Sequence, residues 1–122
     1  MGSEKQELSA QEYARIIVDV ISDLKGEDIV LMDLRDVTII SDFFVICTAD
    51  NERQLKAIVD KISETLKKDY GIKAWRVEGK ASGGWILIDY VDVVVHVFSE
   101  EQRDYYDLEG LWSDAKVLLR MQ

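Results

Sequence analysis

A chain of 122 residues has the length of one domain, enough to bury a hydrophobic core and too short for two ordinary ones. Apolar residues make up 48% and charged residues 32%, the balance of a folded protein rather than a disordered tail. The formal net charge of −9 argues against the broad basic surface that sequence-independent nucleic-acid binding needs, and points to a basic partner such as a protein.

The N-terminus, MGSEKQELS, carries no apolar signal segment, and no later stretch approaches the run of about 18 apolar residues that spans a bilayer. A single cysteine, Cys47, cannot form an internal disulfide, and within DFFVICT it reads as a small buried hydrophobe. A reducing compartment, the cytoplasm, is expected. Residues 1–8 are read as a flexible lead-in to a single domain.

From Ser9, apolar residues at Tyr13, Ile16, Ile17, Val20, Ile21 and Leu24 recur at helical spacing, and Ser9 with Glu12 makes a capping box. Gly26 is expected to end this helix as a left-handed cap. Two short runs rich in strand-favouring residues follow, Asp28 to Leu34 and Asp42 to Thr48. Asp50 or Asn51 then caps a second helix, whose stripe of Leu55, Ile58, Val59, Ile62 and Leu66 runs until Gly71. Beyond it, IKAWRVE alternates as a strand and GKASGG (Gly79 to Gly84) is a flexible loop.

WILIDY and DVVVHVF come next, joined only by a tight corner at Val91, which predicts an antiparallel hairpin. The tail RDYYDLEGLWSDAKVLL has helical spacing, and Gly110 should divide it into two short helices. The expected architecture is α/β, a single layered domain with a mixed sheet of about five strands flanked by helices.

The only histidine, His96, shares a strand face with Val94 and Phe98, opposite Val93, Val95 and Val97, and both faces read as buried. General-base catalysis requires a substrate to reach the imidazole, so a neutral core histidine is the preferred reading. Nucleophilic catalysis by Cys47 would need His96 beside it, which is conceivable for two strand interiors, although packing is favoured.

No Asp-x-Asp pair occurs, and Asp89 and Asp92 are three apart across the corner. Asp50 with Glu52, and Asp107 with Glu109, lie where helices begin, where carboxylates suit the helix dipole. One histidine and one cysteine exclude zinc sites built from those ligands, and no metal or cofactor is expected.

In WILIDY one face carries Trp85, Leu87 and Asp89 and the other Ile86, Ile88 and Tyr90. If the second packs on helices, Trp85 and Leu87 point outward beside charges, the composition of a protein-binding hot spot. If both faces are covered, the tryptophan is core.

Five blocks in order, DLKGEDIVLMDL, SDFFVICTADNERQ, Glu78-Gly79, WILIDYVDVVVHVF and RDYYDLEGLWSDA, strongly resemble the Iojap family of bacterial ribosomal silencing factors (RsfS). The resemblance implies a nucleotidyltransferase-like core without that superfamily's catalytic carboxylates. It implies a non-enzymatic function, binding of large-subunit ribosomal protein L-fourteen so that the small subunit cannot join and translation is repressed. It also implies possible homodimers.

The family's interface positions fall on Trp85, Leu87, Asp89 and Tyr90, with Asp92 and Lys80 close by. Where the family commonly has glycine at the hairpin corner, this chain has Val91, and a β-branched residue resists positive φ. Two other readings remain: a divergent nucleotidyltransferase-type enzyme using Asp42, Asp89 or Asp92, and an adaptor in large-subunit assembly.

Overall fold

The computed structural model describes residues 8–122. The expected flexible segment 1–8 therefore lies outside the described residues except for Leu8, which packs against the core. In chain order the elements are α1 (Ala10–Asp23), β1 (Glu27–Asp33), β2 (Phe43–Ala49), α2 (Glu52–Tyr70) and β3 (Arg76–Lys80). After a 3-10 turn (Ala81–Gly83) come β4 (Trp85–Asp89), β5 (Val93–Ser99), α3 (Glu100–Tyr106), α4 (Leu108–Leu111) and β6 (Lys116–Met121). No helix among the described residues is long and apolar enough to cross a membrane.

The strands form one mixed sheet in the order β3-β4-β5-β2-β1-β6. At its centre β2 and β5 pair in parallel from Phe43 with Val93 to Ala49 with Ser99, and the other neighbours are antiparallel. All of β2 and six of the seven residues of β5 are buried, which explains why both read as continuous apolar runs rather than alternating ones.

Helices α1 and α2 cover one face. Their stripes, with Ile17, Ile21, Ile58 and Ile62 fully buried, meet Leu31, Val45, Val95 and Val97. A smaller second core on the opposite face joins Val30, Met32, Phe44, Ile46 and Phe98 to Leu108, Trp112 and Ala115 of the C-terminal segment.

Local signals explain most boundaries. The capping box forms, with the Ser9 hydroxyl accepting from the Glu12 N–H and the Glu12 carboxylate accepting from the Ser9 N–H. Asn51 caps α2, and Gly71, at φ 70°, closes it in the left-handed conformation. At the end of α1 the expectation fails: Lys25 holds the left-handed residue, at φ 67°. Gly26 is needed for a different reason, because a Cβ there would collide with the Ile21 side chain.

The tail also departs from expectation. Asp107, at φ 45°, ends α3 and caps α4 by accepting from the Gly110 N–H, so the break falls at Asp107. Gly110 lets that carboxylate approach, since a Cβ would overlap it. The last stretch is a sixth strand: Leu119 pairs with Leu31 and Arg120 with Val30. Helical spacing in KVLLRM gave way to pairing because the edge of β1 offers a ladder of hydrogen bonds.

An ion network built on the buried Arg103 fastens this C-terminal layer to the sheet. Arg103, only 7% exposed, donates to the Asp28 carbonyl, the Thr48 hydroxyl and both Glu109 carboxylate oxygens. Arg120 bridges the same two acids, at 2.8 Å to Asp28 and 3.0 Å to Glu109. Arg103 is the buried charge, whereas Asp28 and Glu109 are partly exposed and keep Arg120. Loss of Arg103 chiefly leaves the Thr48 hydroxyl and the Asp28 carbonyl without their donor. Arg103→Met should therefore lose about 2 kcal/mol in urea denaturation.

Burial pushes the Glu109 carboxyl up, but the hydrogen bonds and charges of Arg103 and Arg120 outweigh it and hold the group below its ordinary value. The folded pKa lies below the unfolded one, so this contribution is complete above the usual carboxylate range and fades as pH falls through the folded value. The stability gap between the wild-type protein and Glu109→Gln should be largest near neutrality and shrink below about pH 4.

At the hairpin corner Val91 has φ 76°, and its N–H donates to the Asp89 carboxylate at 2.8 Å. The left-handed geometry normally filled by glycine is thus kept despite the β-branched side chain, which stands 57% exposed. Such strain is of order 1 kcal/mol or more. Val91→Gly should raise stability by about 1 kcal/mol and the melting temperature by a few degrees.

Candidate partner-binding surface

Sheet order and connectivity together leave one area bare. The chain leaves β5 into α3 and must cross β2 and β1 to reach β6 at the far edge. The second layer therefore covers the middle of that face, reaches Trp85 through Tyr106, and leaves β3 and the rest of β4 uncovered. Register places the side chains there: Lys80 lies opposite Trp85, Glu78 opposite Leu87 and Arg76 opposite Asp89.

The face thus presents two half-buried apolar side chains, Trp85 and Leu87, between exposed charges on β3 and the half-buried Asp89. Glu78, Gly79, Trp85 and Leu87 line a cleft of ≈ 180 Å³. Gly79, at φ 96°, keeps its floor low, because a Cβ would strike the Trp85 carbonyl. Lys80 belongs to the strand, so the expected flexible loop is shorter than GKASGG and consists of the turn Ala81–Gly83 and Gly84.

Of the six residues named from sequence, Trp85, Leu87, Asp89 and Lys80 meet on this face. Tyr90 turns the other way, is 6% exposed, and packs edge-on against Tyr13 in the main core. Asp92 is exposed at the end of the sheet, where its carbonyl accepts from the Asp42 and Phe43 amides. Asp89 is structurally engaged as well, accepting from Val91 and lying 3.4 Å from Arg76.

The sequence reading missed the aromatic neighbours of Trp85. Tyr106 lies across its indole with centroids 4.4 Å apart, and Tyr105, 76% exposed, meets Tyr106 edge-on. Phe98 stacks behind the indole at 5.1 Å. RDYYD contained the signal, as two adjacent tyrosines on a short helix cannot both face inward, but only the crossing of α3 brings them beside Trp85.

The candidate chemical groups do not assemble. Cys47 points toward α1 and α2 and His96 toward the opposite layer, so the sheet separates them. Burial pushes the Cys47 thiol up to about 12, against the weaker pull of Arg103, and the thiolate nucleophile is not populated near neutrality. Burial pushes His96 down to about 3, so the imidazole is neutral. Among the described residues no three His, Cys, Asp or Glu side chains converge in a way that could hold a metal ion.

The family described as "Ribosomal silencing factor during starvation", RsfS, matches residues 7–122. The chain belongs to the RsfS family. A curated relative named ribosomal silencing factor RsfS, from Halalkalibacterium halodurans, is 40% identical over 108 residues, spanning 88% of this chain and 92% of that one. The chloroplastic protein Iojap of Arabidopsis thaliana is 33% identical over 84% of this chain and 42% of its own length. A crystal structure from Chromobacterium violaceum superposes with a TM-score of 0.82 at 37% identity, covering 87% of this chain and 88% of that chain. The α/β fold is therefore shared with that crystal structure.

Proposed function

We propose that this protein is a ribosomal silencing factor of the cytoplasm that binds the large subunit through ribosomal protein L-fourteen and blocks joining of the small subunit. The observation that carries this reading is the partly uncovered face of β4, where Trp85 and Leu87 stand half-buried between Lys80, Glu78 and Asp89. A tryptophan in a small apolar cleft with a charged rim has the make-up of an interface hot spot, in which one anchor carries much of the affinity. Tyr105 and Tyr106 continue the patch with side chains that bury large area at low entropic cost.

The mechanism is steric. A folded domain seated on one ribosomal protein excludes the opposite subunit by its volume, with no turnover and no cofactor. The RsfS relatives carry the name of a silencing factor, and membership in their family supports this non-enzymatic reading. A net charge of −9 suits a basic ribosomal protein and should make association weaken as salt rises. The same apolar patch is where a second copy of the chain would compete.

Sedimentation of purified subunits at association-promoting magnesium tests the reading. The wild-type protein should travel with the large subunit and keep the small one off, while Trp85→Ala should bind about 30-fold more weakly or worse and allow joining. Binding without a block would make the protein an assembly adaptor. Binding to neither subunit would end this assignment.

A further inference from the structure

We infer that His96 is a positioning residue, whose Nδ1 holds the Trp85 indole in the one orientation that serves the partner-binding face. The inference rests on the proposed binding role of Trp85 and assigns a reason for the buried histidine. Trp85 is sandwiched by Phe98 and Tyr106, with interplanar angles of 23° and 44°. Stacking fixes the plane of the ring but not which edge faces the solvent, because a half-turn about χ2 leaves both faces stacked. The bond from the Trp85 Nε1–H to His96 Nδ1, 3.3 Å long, selects one of the two. It is directional rather than strong.

That bond fixes the tautomer. An Nδ1 that accepts leaves the proton on Nε2, and His96 Nε2 is buried without a hydrogen-bond partner. An orphaned donor in a core is destabilising. Across the strands His96 faces Leu87 and Ile46, and the ring of Phe44 lies 4.6 Å away, so an aliphatic side chain would fit this setting without that cost. Stability alone does not account for an imidazole here. An acceptor aimed at the one polar atom of the anchor tryptophan does. Since the ring is neutral, the lone pair remains available across the ordinary pH range.

The test compares wild type, His96→Leu and His96→Asn, the last placing an oxygen about where Nδ1 sits. In the free ¹⁵N-labelled protein the Trp85 indole N–H, assigned with Trp85→Phe, should be a shifted and exchange-protected resonance. His96→Leu should lose that protection, bind purified large subunits about five-fold more weakly, and melt no lower than wild type. His96→Asn should recover part of both the protection and the binding.

An unchanged indole resonance in His96→Leu, or full binding after the resonance has moved, overturns the inference. If His96→Leu does not fold, His96→Asn decides, because loss of both signals in that variant contradicts the acceptor role. If the wild type itself fails to bind, the functional reading falls and takes the positioning role with it. The indole signal, read without ribosomes, tells that failure apart from a missing hydrogen bond.

Discussion

The parallel pairing of β2 with β5 governs this molecule. Two strands buried on both faces need a layer on each side, and a parallel connection cannot be made by a tight turn. The chain meets the requirement unequally. It spends α1 and the 19-residue α2 on one face, then has only two short helices left for the other. The bare area over β4 follows from that imbalance. What distinguishes the surface is where the chain ran out of cover, and Trp85 stands at the boundary, half in the second core and half out.

The ion network around Arg103 belongs to the same economy. The second layer contributes few large apolar contacts, so its attachment relies on a guanidinium shared among a carbonyl, a hydroxyl and two carboxylates. Such a cluster holds direction better than it holds energy, since desolvation consumes much of the attraction. Direction is what the aromatic patch requires: Arg103 lies in α3, three residues before Tyr106, and fixes the helix that lays that ring on Trp85.

Much of this was legible in the chain. The capping box at Ser9, the stripe of α2 ending at Gly71 and the hairpin around Val91 are local patterns whose energies lie within a few neighbouring residues, and they stand where the sequence puts them. Period-two alternation in WILIDY sorted Ile86 and Ile88 from Trp85 and Leu87 correctly. The failures are non-local. KVLLRM became β6 because β1 had a free edge, which no window of the sequence contains. The family resemblance places Tyr90 at the interface, whereas alternation sets it with Ile86 and Ile88, and its ring does meet Tyr13, 77 positions away, in the main core. Lys25 took the left-handed role expected of Gly26, because absence of a side chain against Ile21 mattered more than backbone freedom. The tyrosines beside Trp85 were visible as residues but not as neighbours.

The two cores also differ in cooperativity. The face under α1 and α2 is a dense aliphatic block, while the face under α3 and α4 is smaller, partly aromatic and tied by charges. Segments with few buried apolar contacts open at lower free energy than the domain as a whole. The layer that carries Tyr106 is therefore the part of the molecule that loosens first on warming. In such a protein recognition has its own melting behaviour: Tyr105 and Tyr106 lose their fixed places while the sheet, with Trp85 and Leu87 on it, and the long helices remain intact. Temperature then sets the competent fraction of an otherwise folded population.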